Sequence, residues 1–375
     1  MRATVVTRDN SQCLLTTLRG LVSCGVNESN ILVVDDSSAE SSIKETKDAL
    51  ETTFERPPKH LSWHDQGEVL HWIPMEYRKS VASHFRLAKA GWNTYAARNV
   101  GLLWSARLGK CRRVLWVDDD VDVSVSVVGS ASRTPPDCIS AFALVGLPDF
   151  SRTKWLEMYL SCIEPSADFM GTASHAALLH AFTDLYVPLP EAQPSSRSFP
   201  LPWNSAHGAA YATNIALGHA PLFPAFQGED YFWHRRLIDL GKRRIRCRAP
   251  VCHRGRRRQL LDAELFVAEE LGAIQATCLR FVLSNSNLSV RRTISTLAAS
   301  RRRDLNLLAG RASRIHANRI SQAPILSSIA ELLEQVGASL ANVCTLESAV
   351  ETVSQSLAAC AVWSRVGPQI SQKIA

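Results

Sequence analysis

Three consecutive carboxylates follow one predicted buried strand. The apolar run at residues 114–117 leads directly into Asp118, Asp119 and Asp120. A hard divalent cation such as Mg²⁺ or Mn²⁺ prefers oxygen ligands, and it is typically held by one or two carboxylates together with substrate phosphates. The pair Asp118 and Asp120 therefore predicts a metal site that is open to a nucleotide diphosphate. A solvated acidic turn gives the same short pattern, so the interpretation depends on the residues that accompany it.

A second acidic pair, Glu229 and Asp230, follows Gly228 at the predicted start of a helix. A carboxylate beside a metal-bound sugar donor could accept the proton of an acceptor hydroxyl as that hydroxyl attacks the sugar carbon. Asp230 is the preferred candidate for this base. Asp is also a favoured residue at a helix N-cap, so a structural role for either residue is an equally open interpretation.

A histidine and two arginines form the third feature. His253 comes after a predicted strand at residues 244–249 and is followed by Arg254, Gly255 and Arg256. A neutral imidazole suits Mn²⁺ better than Mg²⁺, and arginines at this point could neutralise a departing diphosphate. Taken alone, a histidine in a basic loop is usually exposed without a function. The prediction of a metal ligand at His253 therefore depends on the two acidic features.

Short β-branched runs alternate with amphipathic helical stretches along the first part of the chain. Strands are predicted at residues 4–7 and 31–34, and the spacing of leucines predicts a helix over residues 12–24 between them. Such alternation is typical of β-α-β units with a largely parallel sheet. Ligands gather at the carboxyl ends of parallel strands, so Asp35 and Asp36 are expected to face the same crevice as the predicted metal carboxylates.

The composition of the chain changes near residue 260. The part before this point holds the predicted α/β units, including a helix over residues 96–108 and a Pro- and Ser-rich loop at residues 188–202. The part after it is rich in Ala, Leu, Ser and Arg with helical periodicity. We therefore predict a catalytic domain at residues 1–260 and a helical C-terminal region of unknown role at residues 261–375.

The overall composition is that of a soluble globular protein. The chain has 375 residues, of which 46% are hydrophobic and 21% charged, and no uncharged apolar run approaches the ~18 residues of a membrane span. Its first residues lack a secretory signal, and its ten cysteines include no C-x-x-C pair, which favours reduced thiols. We predict a cytoplasmic protein. Peripheral attachment to a membrane stays open, because the net charge of +7 is concentrated in arginine runs.

Six segments, taken in order, resemble the family-2-type glycosyltransferases of GT-A fold. They are residues 4–7, 31–38, 97–102, 117–120, 228–230 and 251–253. The resemblance covers the first two thirds of the chain. It implies an α/β fold of GT-A type, Rossmann-like, with a mostly parallel mixed sheet flanked by helices. It also implies an enzyme that moves a hexose or N-acetylhexosamine from a nucleotide diphosphate to an acceptor hydroxyl, with inversion because the attack is direct.

The resemblance further implies roles for individual residues. Those expected at the nucleotide are Thr7, Asp35, Asp36, Arg98, Asn99, Asp118 and Asp119. Asp118 and Asp120 would hold the cofactor, Mn²⁺ or Mg²⁺, with His253 beside it. Asp230 would be the catalytic base, and Glu229 would orient the acceptor.

The acceptor side departs from the family pattern. Residues 208–214 match the family only loosely, and the loop at residues 188–202 resembles an insertion. The donor is expected to be a uridine or guanosine diphosphate sugar. Four classes of acceptor stay open: a glycan, a lipid, a peptide and a small molecule. Aromatic residues here could stack on a sugar, although most are expected to pack in the core. They are Trp203, Tyr211, Phe223, Phe226, Tyr231 and Trp233.

Two alternatives share some of these features. A nucleotidyltransferase that makes sugar nucleotides also uses metal-bound carboxylates, but it usually has a glycine-rich phosphate loop after the first strand, and residues 8–11 contain no glycine. A basic module could instead bind an anionic surface or nucleic acid through the arginine runs on a vestigial enzyme fold. The retained carboxylates favour an enzyme, and a nucleic-acid partner is not expected.

Overall fold

The computed structural model of the chain describes residues 1–87, 94–107, 113–145, 156, 157, 160, 186, 187, 210–253, 258, 259, 262–318 and 323–372. Within these residues, eight strands form one mixed sheet and two further strands form a second sheet. In chain order the strands are β1 Arg2–Thr7, β2 Ile31–Asp35, β3 Lys59–Leu61, β4 Arg113–Asp118, β5 Val121–Asp122, β6 Cys138–Val145, β7 Tyr186–Val187, β8 Ala210–Asn214, β9 Arg243–His253 and β10 Arg258–Gln259.

The large sheet has the strand order β3-β2-β1-β4-β8-β6-β9-β5. Parallel pairing joins β3 to β2, β2 to β1, β1 to β4 and β6 to β9. Strands β8 and β5 pair antiparallel with their neighbours. The sheet is therefore mostly parallel, with β8 inserted beside β4 in the opposite direction.

Helices cover the sheet and build the C-terminal region. In chain order the α-helices are α1 Ser11–Ser23, α2 Glu40–Thr53, α3 Gln66–His71, α4 Met75–Val81, α5 Thr94–Arg107, α6 Val125–Ser132, α7 Glu229–Asp239, α8 Ala263–Ser284, α9 Val290–Asn318, α10 Ala323–Ser339 and α11 Val343–Gln372.

The central strands are buried on both faces of the sheet. Every residue of β2 is buried, as is usual for a parallel strand that is covered on both sides. Leu32 and Val34 face the core that contains α5, whereas Ile31 and Val33 face the core that contains α1 and α2. Because both faces are occupied by apolar packing, the strand ends are the part of the sheet that is available for chemistry.

The predicted fold class is confirmed. The chain forms a mostly parallel mixed sheet with flanking helices, as the GT-A architecture requires, followed by a helical C-terminal region. The predicted strands and helices correspond to β1, β2, β4, α1 and α5, with small shifts at their ends. The Pro- and Ser-rich loop at residues 188–202 lies outside the described residues.

The C-terminal helices share one core with α7 and also complete the core of the α/β part. Leu279 of α8 and Leu333 of α10 lie in the first of these cores. Helix α11 returns to the α/β part, where Trp363 packs in the same core as α5 and its ring lies 5.6 Å from that of Phe85. The proposed division at residue 260 falls outside the described residues, but the helices that follow it share a core with the sheet.

Three glycines let these helices approach the backbone that leads into α7. A Cβ added to Gly367 of α11 would lie 2.1 Å from the carbonyl oxygen of Gly218, and one added to Gly272 of α8 would lie 2.1 Å from the carbonyl oxygen of Gln227. Real Cβ atoms cannot come so close to backbone. Helices α8 and α11 therefore pack directly against the backbone of the segment between β8 and α7.

The described part of the chain contains no helix that combines the length and the apolar character required to pass through a bilayer. The cysteines described there form no disulfide with one another.

Candidate active site

The carboxyl ends of β1, β2 and β4 lie side by side. The strand register pairs Thr7 with Asp35 and Val6 with Asp118. Beyond the strand ends, the backbone N–H of Asp36 donates to the carbonyl oxygen of Thr7 at 2.9 Å. The acidic residues that follow β2 and β4 thus start from the same edge of the sheet, where the sequence predicts a crevice.

The turn after β4 is held by hydroxyl groups from β1 and α1. Thr7 Oγ1 donates to Asp119 Oδ2 at 2.7 Å. Thr17 Oγ1 lies 2.7 Å from the carbonyl oxygen of Asp119 and 2.9 Å from that of Val121. Asp119 is 6% exposed, so its side chain serves mainly to fix this turn. The effect is to hold its neighbours Asp118 and Asp120 at the strand end.

The two carboxylates after β2 are deeply buried and differ in their surroundings. Asp35 accepts a hydrogen bond from the N–H of Ser37 at 2.9 Å, and its other oxygen lies 3.1 Å from His60 Nε2. Asp36 Oδ2 lies 3.7 Å from the guanidinium of Arg8. Burial, together with the nearby charge of Asp36, raises the pKa of the Tyr95 hydroxyl, which therefore stays protonated at neutral pH.

Arg98 brings the two acidic features together. Its Nη2 lies 3.4 Å from Asp118 Oδ1 at the end of β4, its Nε lies 3.4 Å from Glu229 Oε1, and its Nη1 lies 3.9 Å from Asp230 Oδ2. The side chain of Arg98 is only 7% exposed. A single buried guanidinium thus joins the strand-end carboxylates to those at the start of α7.

The charge on this guanidinium is secured by its neighbours. Burial alone would lower the pKa of Arg98, but the carboxylates of Asp118, Glu229 and Asp230 more than offset that effect and raise the pKa above its usual value. Three carboxylates surround one guanidinium, so the cluster carries an excess of negative charge when all of them are ionised. Such a cluster favours either a bound proton or a second cation.

Helix α7 places its two acidic residues in the first turn. Gly228 precedes the helix with φ of 80°, a left-handed conformation that glycine adopts readily, and it occupies the N-cap position. Glu229 and Asp230 are therefore first-turn residues, which resolves the question of an N-cap role for either of them. The unpaired N–H groups and the dipole of the helix stabilise negative charge at this position.

The carboxyl of Glu229 keeps its proton to a higher pH than a glutamate ordinarily does. Its burial raises the pKa of its carboxyl to about 7, with the charge of Asp230 acting in the same direction and that of Arg98 opposing it. The pKa of Glu229 in the unfolded chain is near 4.5. Between these two values the folded protein binds more protons than the unfolded chain, so its stability falls as the pH rises through this window.

Replacing Glu229 by Gln is expected to remove this pH dependence. From about pH 5 to about pH 8, the free energy of unfolding of the wild type should fall by up to about 3 kcal/mol relative to that of the variant. Urea unfolding of both proteins at the two pH values measures the difference. Glu76→Gln, which changes an exposed carboxylate, should keep the wild-type slope. An unchanged slope in the Glu229 variant would show that this carboxyl ionises normally.

His253 approaches the same strand end through its backbone. Strand β9 pairs with β5 so that His253 lies opposite Val121, the residue after Asp120. Its side chain, together with Arg254 and Arg256, lies outside the described residues. Among the residues described, no three His, Cys, Asp or Glu side chains form a ready-made ligand set. The carboxylates of Asp118 and Asp120 fit a hard cation that would take its remaining ligands from a substrate or from His253.

Asn99 is placed by the structure away from any open surface. It is fully buried, and its amide nitrogen donates to the carbonyl oxygens of His84 and Phe223 at 3.0 and 2.8 Å. Its amide oxygen accepts from the N–H of Phe223 at 2.8 Å. These contacts favour a role in holding α5 against the segment before α7, rather than direct contact with a nucleotide.

The aromatic residues on the acceptor side form a packed cluster. Tyr211, Phe223 and Trp233 are each at most 1% exposed. The rings of Phe223 and Trp233 stack with a centroid distance of 4.6 Å. Tyr211 is electrostatically coupled to Arg98 and the surrounding carboxylates. The expectation that most of these aromatics are core residues is confirmed for those described, whereas Trp203 and the side chain of Tyr231 lie outside the described residues.

Several residues of the site carry no signal that sequence patterns could reveal. Arg8, Thr17 and His60 contact the predicted site residues, and the charge of Asp36 acts on Tyr95. Each of the four belongs to an unremarkable stretch of its helix, strand or turn. Thr7 and Asp119 are 112 positions apart when they form their hydrogen bond. Local spacing predicts the strand ends, but it does not show which side chains from other segments support them.

No protein-family description matches the chain, and no curated protein matches it either. Among solved structures, the chain is similar to the mannosyltransferase PcManGT from Pyrobaculum calidifontis in complex with GDP-Man and Mn²⁺, with 13% identity and a TM-score of 0.42 over 97% of this chain and 87% of the other. It is also similar to mouse xyloside xylosyltransferase 1 in its apo form, with 11% identity and a TM-score of 0.28 over 64% and 73% of the two chains. Likenesses of this size do not by themselves establish an activity.

Proposed function

We propose that the chain is a divalent-metal-dependent glycosyltransferase. It would move a hexose or N-acetylhexosamine from a uridine or guanosine diphosphate donor to an acceptor hydroxyl, with inversion, in the cytoplasm. The observation that carries this proposal is the meeting of Asp118, Glu229 and Asp230 around Arg98. The sequence resemblance assigns the first of these carboxylates to the donor and the other two to the acceptor side, and a transferase needs both groups in one site.

The donor would lie over the ends of β1, β2 and β4. Asp35 and Asp36 are two of the residues that the resemblance assigns to the nucleotide. His60 and Arg8 hold these two carboxylates in place. Asp118 is the more exposed of the acids after β4, with 30% of its side chain exposed, so it can reach a ligand without rearrangement of the turn.

Asp230 is the better placed of the two acids on α7 to act as the base. Its side chain is 18% exposed, compared with 9% for Glu229, so an acceptor hydroxyl can approach it more easily. Glu229 is the more buried partner and lies nearer to Arg98. We therefore assign proton transfer to Asp230, and to Glu229 the positioning of Arg98 and of the acceptor.

In the proposed reaction, Asp230 takes the proton of the acceptor hydroxyl as the oxygen forms a bond to the anomeric carbon. The bond from this carbon to the diphosphate oxygen breaks, and its electron pair leaves with the diphosphate. Attack from the face opposite the leaving group inverts the configuration. A divalent cation held by Asp118 and Asp120, with His253 beside them, would supply charge neutralisation for the diphosphate.

The proposal is tested first by ligand binding. We expect uridine diphosphate or guanosine diphosphate to raise the melting temperature of the protein in the presence of Mn²⁺ or Mg²⁺, because a ligand that binds the folded state stabilises it by mass action. At 100 times the dissociation constant, the gain is about 2.7 kcal/mol. The gain should disappear with a chelator, and also in the Asp120→Ala variant.

Asp48→Ala serves as the control, since Asp48 is an exposed carboxylate on α2 and its variant should respond to the ligand like the wild type. No metal-dependent stabilisation by any nucleoside diphosphate or nucleotide sugar would refute the proposal. Stabilisation by a nucleoside triphosphate with a sugar phosphate, in place of the diphosphate, would favour the nucleotidyltransferase instead.

A further inference from the structure

Helix α9 carries an exposed row of arginines that the proposed reaction does not use. Arg292, Arg303 and Arg314 are exposed and are separated by eleven residues each. Eleven residues of an α-helix complete about three turns, with roughly 20° of drift. The three side chains therefore lie along one line on the helix surface, and the line is about 33 Å long. We call Arg292, Arg303, Arg314 and the neighbouring Leu307 the basic stripe.

Within the described residues, no acidic group neutralises the charge of the basic stripe. In the part of the chain that the structure describes, Arg292, Arg303 and Arg314 form no ion pair. The acid of the same helix, Asp304, lies 4.0 Å from Arg301, about 100° around the helix from Arg303. Glu270 of α8 also pairs with Arg301. The stripe thus presents three free positive charges to the solvent.

An apolar residue lies within the same stripe. Leu307 is 72% exposed and stands between Arg303 and Arg314, close to their line. The other positions along the line are small, namely Thr296, Ala299 and Gly310. A straight basic row with one projecting leucine can rest on a flat anionic surface, where the leucine enters the boundary between head groups and acyl chains.

We infer that the basic stripe of α9 is a docking surface for an anionic lipid bilayer. A bilayer offers phosphates in a fluid plane, so a straight row of arginines can be matched at any spacing. A nucleic acid would meet the charges but would leave the exposed leucine without an apolar partner. A protein partner would be expected to bury a larger apolar patch than a single leucine among small residues. The chain would then work as a peripheral protein at the membrane surface.

The inference is tested by sedimentation of the full chain with vesicles. Vesicles of phosphatidylcholine with phosphatidylserine should bind the protein, and vesicles of phosphatidylcholine alone should bind it far more weakly. Added salt should weaken the binding because it screens the charges. Changing Arg292, Arg303 and Arg314 together to Gln should lower the affinity on the order of 100-fold, since each arginine near such a surface contributes roughly fivefold. Leu307→Ser should weaken binding by a smaller factor.

A matched control changes three other exposed basic residues to Gln, namely Arg19, Lys44 and Arg56. This control has the same net charge as the stripe variant and should bind vesicles nearly as well as the wild type. Equal losses in the two triple variants would overturn the inference, as would the absence of binding to anionic vesicles. Stripe-dependent binding to duplex RNA without binding to vesicles would also overturn it. The assay contains no sugar donor, so its outcome is independent of the proposed reaction.

Discussion

Replacing Asp230 by Asn should lower kcat by about 10²–10⁴-fold, the usual contribution of a general base. Asn has nearly the same shape as Asp but cannot accept the proton of the acceptor hydroxyl. Asp230 belongs to α7 and not to the strand ends that would hold the donor, and its Oδ2 lies 3.9 Å from Arg98 Nη1. The variant should therefore still bind the nucleoside diphosphate with metal. Turnover is measured as release of the diphosphate, and donor binding as the shift in melting temperature.

The control for this prediction is Asp239→Asn at the other end of α7. Asp239 pairs with Arg280 at 2.7 Å on the protein surface, and its variant should keep most of the turnover. If the Asp230 variant lost donor binding and turnover equally, Asp230 would belong to the donor site. If it kept full turnover, the base would have to be sought elsewhere, with Glu229 as the next candidate.

Replacing Arg98 by Gln should destabilise the protein by about 3–5 kcal/mol, because buried carboxylates are then left without their counter-charge. The loss should be greater at about pH 8 than at about pH 5, since Glu229 can take up a proton at the lower pH and relieve part of the repulsion. Urea unfolding of the wild type and variant at both values gives the two differences. If Arg98 only filled space, its replacement would lower the free energy of unfolding equally at the two pH values.

The double variant Arg98→Gln with Glu229→Gln provides the sharper comparison. It removes the guanidinium together with the most buried of its carboxylate partners, so it should recover part of the stability that Arg98→Gln loses. The recovery should be largest at the higher pH, where Glu229 of the single variant is charged. Additive losses in the double variant would mean that the two side chains do not interact.

The sheet could be predicted from the sequence because its signal is local. The run at residues 31–34 is apolar throughout, as a strand buried on both sides must be, and its end is marked by Asp35 and Asp36. The start of α7 is equally clear, since Gly228 provides the left-handed residue before the helix. Wherever the pattern and the physical requirement lie within a few neighbouring residues, the prediction agrees with the structure.

The contacts of Arg98 could not be predicted in the same way. The segment at residues 97–102 identifies Arg98 and Asn99 as a pair, but in the structure the two side chains have different partners. Arg98 reaches the carboxylates of β4 and α7, whereas Asn99 binds the backbone of Phe223. These partners come from distant parts of the chain, and only the folded sheet brings them within reach. A helix pattern shows which residues share a face, but it does not show what that face meets.

The return of α11 to the sheet has a consequence for how the nascent chain folds. Trp363 fills the same core as α5, and its indole N–H donates to the carbonyl oxygen of Ala220. While the ribosome is still making the helices that follow residue 262, the apolar surface that receives Trp363 has nothing to cover it. The sheet can form early during translation, but the core that contains α5 is completed only after α11 has been synthesised. Emerging chains should therefore keep this apolar surface exposed until α11 has been made.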